Sequence, residues 1–184
     1  MKSYEDKIVF LDVSRFKISF MKLPYLLFLL AIGCAPKQKI ETQKTEITTI
    51  LDNWHKAAAA ANFEAYFEIL SDESVFIGTD ASENWNKLQF QNFAKPYFDK
   101  GKAWRFNAIE RTIYFSKDKK VVWFDELLNT QMKICRGSGV LAMENGQWKI
   151  KHYVLSMTIP NDNVDEVVKI KAPIEDALME SLKK

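Results

Sequence analysis

The second half of the chain contains four closely spaced segments that are rich in aromatic and β-branched residues, a composition typical of β-strands. The segments are Trp104 to Ser116, Val121 to Leu128, Lys133 to Met143 and Trp148 to Ile159. Short polar turns separate them, and the Asn145-Gly146 step between the last two is a strong signal for a tight hairpin. The four segments therefore predict an antiparallel meander, and the rest of the chain has to cover one of its faces.

The residues before the meander show helical periodicity, with apolar side chains recurring at steps of three and four. This spacing predicts a helix over Glu46–Ala61, a short helix over Phe63–Leu70 capped by Asn62, and a third helix around Phe90–Phe98. A short strand, Ser74–Ile77, lies between the second and third helices. Helices in one layer and strands in the other give an α+β fold. A charged amphipathic tail follows from residue 164 to residue 184.

An uncharged apolar run, Leu23 to Gly33, directly precedes Cys34. As a helix it would reach about 16 Å against the roughly 30 Å of a bilayer's hydrocarbon, so it suits the core of an export signal better than a membrane span. Residues 31–34 resemble the lipobox of bacterial lipoproteins, which implies cleavage before Cys34 and a lipid on its thiol. We therefore predict a signal segment over residues 1–33 and a lipid-anchored protein on the periplasmic or surface side of a bacterial membrane.

The residues on either side of this apolar run refine the prediction of an export signal. The first twenty residues are acidic for a signal, with Glu5, Asp6 and Asp12, so translation is expected to start at Met21. The alternative is an uncleaved apolar helix in a cytoplasmic protein. Residues 34–45 are polar, lack apolar periodicity and predict a flexible tether between the membrane and a domain that spans residues 46–163.

Charge excludes one class of partner. The whole chain has 26 basic and 24 acidic residues, and without residues 1–33 the two counts are 21 and 21. Nucleic-acid binding needs clustered Lys and Arg to displace counterions from phosphates, so no nucleic-acid partner is predicted. With Cys34 assigned to lipid, the only other cysteine, Cys135, has no disulfide partner within the chain and is predicted to be a half-buried strand residue.

Several phrases of the chain resemble the SnoaL-like family of the nuclear transport factor 2-like group, which also holds ketosteroid isomerase. They are residues 51–57 (LDNWHKA), 76–80 (FIGTD), 123–128 (WFDELL), 135–141 (CRGSGVL) and 148–150 (WKI), followed by Leu155-Ser156 and Ile159-Pro160-Asn161. The resemblance implies a strongly curved sheet that closes with three helices into a cone, as in cystatin-like rolls. It also implies that the open end often holds a small ligand and that a homodimer often forms through the sheet.

Alternation along the strands suggests which side chains look into the cone. In the last strand Trp148, Ile150, His152 and Val154 are predicted to share the inner face. Arg136, Ser138 and Val140 share one face of the preceding strand, while Gly137 and Gly139 clear the other and let the sheet bend. For residues 121–128 alternation leaves both faces open. The predicted ligand pocket comprises Trp54, Phe76, Trp123, Arg136, Ser138, Trp148, Ile150 and His152.

Catalysis would need a base within reach of a substrate and donors at the developing oxyanion. The candidates are Asp125, Glu126, Arg136 and His152, which would serve an isomerase, dehydratase or cyclase. The structural alternative is that Arg136 pairs with Glu126 or Asp125, that His152 is a wall residue and that His55 packs in the core. Two histidines far apart in sequence form no recognisable ligand set, so neither a metal nor another cofactor is predicted.

Three functions remain open at this stage. The leading hypothesis is an envelope protein that binds a small, partly apolar molecule in the cone without transforming it, which predicts an enclosed apolar cavity. An enzyme predicts an unpaired carboxylate or histidine that points into empty space. A dimerising interaction module predicts a cone filled by its own side chains and a broad apolar patch on the sheet's outer face.

Overall fold

The structure, a computed structural model, describes residues 35–183. The predicted signal segment, the Met21 start and the Cys34 lipidation site lie outside the described residues. The chain divides after Gln43 into two units, and the second, from Lys44 onward, contains the whole β-sheet.

The described chain contains four α-helices, six β-strands and one turn of 3₁₀-helix. The helices are α1 (Ala35–Ala59), α2 (Phe63–Glu68), α3 (Lys87–Asp99) and α4 (Val164–Leu182), and the 3₁₀ turn is Asn161–Asn163. The strands are β1 (Leu70–Ile77), β2 (Asn84–Asn86), β3 (Phe106–Phe115), β4 (Val121–Thr130), β5 (Lys133–Glu144) and β6 (Gln147–Met157). Three helices before the meander and a helical tail after it agree with the predicted element order.

Local sequence signals explain where several elements begin. Asn62 caps α2, since its side chain accepts a hydrogen bond from the Ala65 N–H at 3.1 Å. Asn86 and Gln89 form a reciprocal capping box at the start of α3. Asn145 and Gly146 both have positive φ, 50° and 83°, as the tight turn between β5 and β6 requires.

The six strands form one curved sheet in the order β2-β1-β6-β5-β4-β3. The meander β3 to β6 is antiparallel as predicted. The remaining pairs are those of β1, which is antiparallel to β2 and parallel to β6. The connection between β1 and β6 comprises β2, α3 and the strands β3 to β5. Such a long connection lets the two strands run in the same direction.

The sheet has a buried inner face, against which α1, α2 and α3 pack, and an outer face. Along β4, Val122, Phe124, Glu126 and Leu128 are buried on the inner face, while the residues between them point outward. We call the space between the inner face and these three helices the interior. Buried residues of all three helices and five strands form one continuous core there.

A β-bulge in β6 corrects the predicted alternation of that strand. Leu141 pairs with Ile150 and Val140 with His152, so Lys151 is an extra residue without a partner on β5. After Lys151 the odd-numbered residues of β6 face inward instead of the even-numbered ones, and Tyr153 is buried at 1% exposure. The prediction that His152 and Val154 share the inner face with Trp148 and Ile150 is therefore wrong.

Two smaller expectations also differ from the structure. Cys135 is fully buried rather than half-buried, because it faces the interior from the middle of the sheet. The helix α1 begins at Ala35, so the backbone of the expected tether is helical from that residue, although its role as a tether stays a prediction. Within residues 35–183, no helix combines the length and apolar character that a membrane crossing requires.

Candidate functional site: the interior and the outer face of the sheet

A buried ionic network lies on the inner face and is centred on Glu126 of β4. Its Oε1 accepts a hydrogen bond from the Tyr153 hydroxyl at 3.0 Å and lies 2.9 Å from His55 Nε2. Its Oε2 accepts from Arg111 Nε at 2.8 Å and lies 2.7 Å from Arg111 Nη2. Arg111 Nη1 donates to Asp52 Oδ1 at 2.8 Å. Each oxygen of the buried Glu126 carboxylate therefore has two close polar contacts.

These contacts determine the protonation of two groups in the network, Glu126 and Tyr153. Burial alone would raise the pKa of the Glu126 carboxyl, but the neighbouring His55 and Arg111 outweigh it, so the pKa lies below its ordinary value. Burial and the adjacent carboxylate raise the pKa of the Tyr153 hydroxyl well above its usual range. Glu126 is thus an ionised acceptor and Tyr153 a neutral donor. A carboxylate with all its contacts made inside the protein is poorly placed to act as a general base.

Two glycines of β5 make room for side chains on the inner face. A Cβ on Gly137 would lie 2.2 Å from the Tyr153 hydroxyl and 3.0 Å from the Glu126 side chain. A Cβ on Gly139 would lie 2.7 Å from the carbonyl oxygen of His152. The interpretation that these glycines clear one face agrees with this geometry, and the cleared space at Gly137 is occupied by the hydrogen bond between Tyr153 and Glu126.

Aromatic side chains fill the interior. Phe76 and Phe90 stack with ring centroids 3.9 Å apart, and Trp54 stacks on Tyr66 at 5.1 Å. Each of these four residues is at most 6% exposed. Burial raises the pKa of the Tyr66 hydroxyl well above its usual range. The interior is therefore a packed aromatic core in the region where an open cone would hold a ligand.

Two cavities lie at the ends of this core. One, of about 150 Å³, lies between Phe76, α3 and the β4–β5 turn. The other is a surface groove of about 460 Å³ between α1, α2 and the start of β6, lined by Trp54 and Trp148 among others. Only the groove falls in the usual size range for small-molecule sites, roughly 300–1,000 Å³.

The structure divides the predicted pocket residues between the two faces. Trp54, Phe76, Trp148 and Ile150 are buried in the core. The other predicted pocket residues point outward, away from them: Trp123, Arg136, Ser138 and His152. The strand register accounts for these outward positions. Residues that pair across neighbouring strands lie on the same side of the sheet, as in the pairs Trp123–Val140, Asp125–Ser138 and Val140–His152. The eight residues therefore do not form one pocket.

The candidate catalytic residues are separated in the same way. Asp125 and Arg136 form a half-exposed ion pair on the outer face, with Arg136 Nη1 3.7 Å from Asp125 Oδ1, as the structural alternative proposed. His152 also lies outward. Glu126 is the one candidate in the interior, where the buried network surrounds it. The candidates therefore do not assemble into a catalytic site.

Sequence reasoning did not find the buried network as a unit. His55 was assigned to packing, and at 4% exposure it does lie in the core, where it also contacts Glu126. Arg111 and Glu126 are direct cross-strand partners, so correct register would have paired them. The inward turn of Tyr153 depends on the bulge at Lys151, for which the sequence carries no clear signal.

The outer face carries several exposed apolar side chains, which together we call the outer patch. Its members are apolar side chains of β3, β4 and β5 that point outward: Tyr114, Val121, Trp123, Leu127, Ile134 and Val140. Tyr114 and Trp123 stack across the strands with centroids 5.8 Å apart and are 43% and 45% exposed. Polar side chains are interspersed among these apolar ones, since Asp125 lies between Trp123 and Leu127 along β4. Clusters of exposed apolar side chains rimmed by polar residues mark interaction sites more often than isolated exposed residues do.

Metal binding has no support in the part of the chain that the structure describes. Within residues 35–183, no three His, Cys, Asp or Glu side chains are grouped so that they could hold a metal ion.

Comparisons with known proteins identify the fold. A model of the SnoaL-like domain matches residues 47–160. An NTF2-like protein of unknown function from Pseudomonas putida is 12% identical over 67% of this chain and 92% of its own, with a TM-score of 0.57. An NTF2-like protein from Cytophaga hutchinsonii is 17% identical over 63% of this chain and 98% of its own, with a TM-score of 0.53.

A third similar structure is the association domain of CaMKII from C. elegans. It is 16% identical over 64% of this chain and 97% of its own, with a TM-score of 0.53. No match was found among curated protein sequences. Identities this low show the fold alone, and the predicted α+β fold of the NTF2-like and cystatin-like type is confirmed.

Proposed function

We propose that this chain, a member of the SnoaL-like domain family, is an association module that pairs with a second copy of itself through the outer patch. One observation carries the proposal: the interior is filled by the protein's own aromatic side chains, while Trp123 and Tyr114 stay 45% and 43% exposed on an apolar surface. Burying large aromatic side chains at a contact is a common source of binding energy between proteins.

The outer face suits a second copy because its charges are self-complementary. Asp125 and Arg136 lie among the side chains of the outer patch and are both about half exposed. In a two-fold interface the same surface meets itself, so Arg136 of each subunit can approach Asp125 of the other. Residues 34–184 have no net charge, so two copies do not repel each other overall. The similarity to an association domain supports the same proposal.

The proposal predicts that Trp123→Asp converts a dimer into a monomer. A carboxylate in the centre of the outer patch would have to lose its hydration on association, a cost of several kcal/mol. The measurement uses the purified full chain carrying Leu178→Asp, a substitution on the C-terminal helix α4 that keeps any association through that helix out of the result. In this background, sedimentation velocity should give twice the monomer mass with Trp123 intact and the monomer mass with Trp123→Asp. Leu88→Asp is the matched control, because Leu88 is 66% exposed on α3 and should leave the dimer intact. A monomeric protein with Trp123 intact, or a Trp123→Asp variant that is folded and still dimeric in this background, would refute the proposal.

Binding of a small, partly apolar molecule is a second candidate, favoured by the 460 Å³ groove rather than by the interior. The buried indole N–H of Trp54, one of the groove's lining residues, has no hydrogen-bond partner within residues 35–183. We place this function second because the groove is open to solvent and only two of the eight predicted pocket residues, Trp54 and Trp148, line it.

We also propose that the protein is anchored in the bacterial cell envelope by a lipid on Cys34. The support is the apolar run before Cys34 and the small residues next to it. Cells fed radiolabelled palmitate should label the wild type, and Cys34→Ala should abolish the label because the acceptor thiol is lost. Lys37→Ala, three residues on, is the control and should label normally. Equal labelling of wild type and Cys34→Ala would contradict the proposed lipid anchor on Cys34.

A further inference from the structure

The C-terminal helix α4 presents an apolar surface that the described chain does not cover. It follows the family domain, packs against the 3₁₀ turn before it, and has no buried residue. Six of its apolar side chains are 41–74% exposed: Val164, Val168, Ile170, Ile174, Met179 and Leu182. The apolar side chains of α4 are therefore not covered by any other part of the described chain.

Packing of an apolar face supplies most of the stability of helices in proteins. Pro173 inside α4 removes one backbone hydrogen bond and weakens the helix. A helix with this composition therefore implies a packing partner.

The arrangement of residues on α4 identifies the partner. Six positions recur at alternating steps of four and three residues, the spacing of a coiled-coil seam. They are Val164, Val168, Lys171, Glu175, Leu178 and Leu182, which we call the α4 seam. Four are apolar and flank a central pair of opposite charges, with Lys171 Nζ 2.9 Å from Glu175 Oε1. Pro173 lies on the opposite side of the helix and does not interrupt the seam.

We propose that α4 pairs with α4 of a second copy of this chain, in antiparallel orientation. With the two-fold axis beside residue 173, Val164 meets the partner's Leu182 and Val168 meets the partner's Leu178. Every apolar residue of the seam then meets another apolar residue. The contact is isologous, since each pair occurs twice.

The two central charges select the antiparallel arrangement. In it Lys171 meets the partner's Glu175 and Glu175 meets the partner's Lys171, so each subunit can exchange its internal ion pair for two pairs between subunits. A parallel arrangement in the same register would place lysine against lysine and glutamate against glutamate. Opposed like charges at seam positions disfavour that alternative, a common way in which coiled coils fix orientation.

Cysteine cross-linking tests the orientation. Val168→Cys and Leu178→Cys variants of the full chain are purified separately, mixed, and treated with a short thiol-specific cross-linker. Mass spectrometry of peptides should show links between positions 168 and 178 in the mixture and few links within either variant alone. Links between 168 and 168, or no links at either position, would overturn the proposal.

Charge reversal tests the central pairs. Lys171→Glu in the cysteine variants opposes glutamate to glutamate and should lower the yield of cross-links by on the order of tenfold. Adding Glu175→Lys restores opposite charges and should restore the yield. Lys169→Glu changes a charge on the polar side of α4 and should have little effect. Equal yields in all of these variants would contradict the proposed register.

The cross-link also separates this pairing from the association through the outer patch. Trp123→Asp should remove the sheet contact while the cross-link between positions 168 and 178 persists, because α4 takes no part in the outer patch. Conversely, Leu178→Asp should abolish pairing of α4 and leave the outer patch contact. Loss of the α4 cross-link in Trp123→Asp would show that α4 does not pair independently and would refute this inference.

Discussion

Glu126→Gln should destabilise the folded protein by about 3–5 kcal/mol, as expected when one partner of a buried ion pair is removed. The Arg111 side chain is only 6% exposed and would lose its buried counter-charge, while Asp52, its remaining acidic contact, is 43% exposed. The amide can still accept a hydrogen bond from Tyr153 but offers no charge. Urea unfolding followed by near-ultraviolet circular dichroism would measure the difference in the free energy of unfolding.

Glu126 should also make the free energy of unfolding of the wild type decrease at acidic pH. The folded-state pKa of Glu126 is lower than its value in the unfolded chain, so the unfolded chain binds the proton more readily. The contribution of Glu126 is therefore complete above the unfolded pKa, about 4.3. It is lost as the pH falls from there through the folded pKa. Glu126→Gln should remove this part of the pH dependence.

A matched control for both measurements is Glu110→Gln. Glu110 is exposed on β3, and the structure shows no ion pair for it within residues 35–183, so its loss should change stability by no more than about 0.5 kcal/mol. If Glu126→Gln were as stable as this control and kept the wild-type pH profile, the buried network would not be a stabilising feature of the interior.

Phe90→Ala should cost about 3–5 kcal/mol of stability and enlarge the cavity of about 150 Å³ that Phe90 lines. Phe90 is 1% exposed and packs against the rings of Phe76, Phe67, Tyr66 and Trp104. Apolar cavities that are large enough bind small aromatic molecules. Benzene should therefore raise the melting temperature of Phe90→Ala more than that of the wild type, in which the Phe90 ring occupies part of this space.

Leu88→Ala is the control for this experiment, because Leu88 lies on the same helix at 66% exposure and should lose less than about 0.5 kcal/mol. Benzene should not stabilise it. If benzene stabilised the wild type as strongly as Phe90→Ala, the wild-type cavity of about 150 Å³ would already admit a small aromatic molecule. The ligand-binding hypothesis would then regain the interior as its site.

The sequence predicted the order of elements because strong local signals mark them. The Asn145-Gly146 turn, the Asn62 cap and the composition of the four meander strands each act within a few residues. The parallel position of β1 beside β6 depends on contacts distant in sequence, and no local pattern encodes it.

The composition of the candidate site was harder to predict, and one residue explains much of the difference. The bulge at Lys151 exchanges the faces of β6, which moves His152 outward and brings Tyr153 into the network with Glu126. A strand period of two cannot reveal an extra residue in one strand. Alternation also could not decide which face of residues 121–128 is buried, because each face has one acidic residue among apolar ones. Burial resolves it by placing Glu126 inside and Asp125 outside.

Hydroxyl-radical footprinting of the full chain, read by mass spectrometry at increasing protein concentration, tests association through the outer patch most directly. We predict that oxidation of Trp123 and Tyr114 falls as the concentration rises and the outer patch becomes buried between two copies. Leu88 should remain equally reactive throughout, since it lies outside the outer patch. Constant oxidation of Trp123 at every concentration, in a folded protein, would contradict the account.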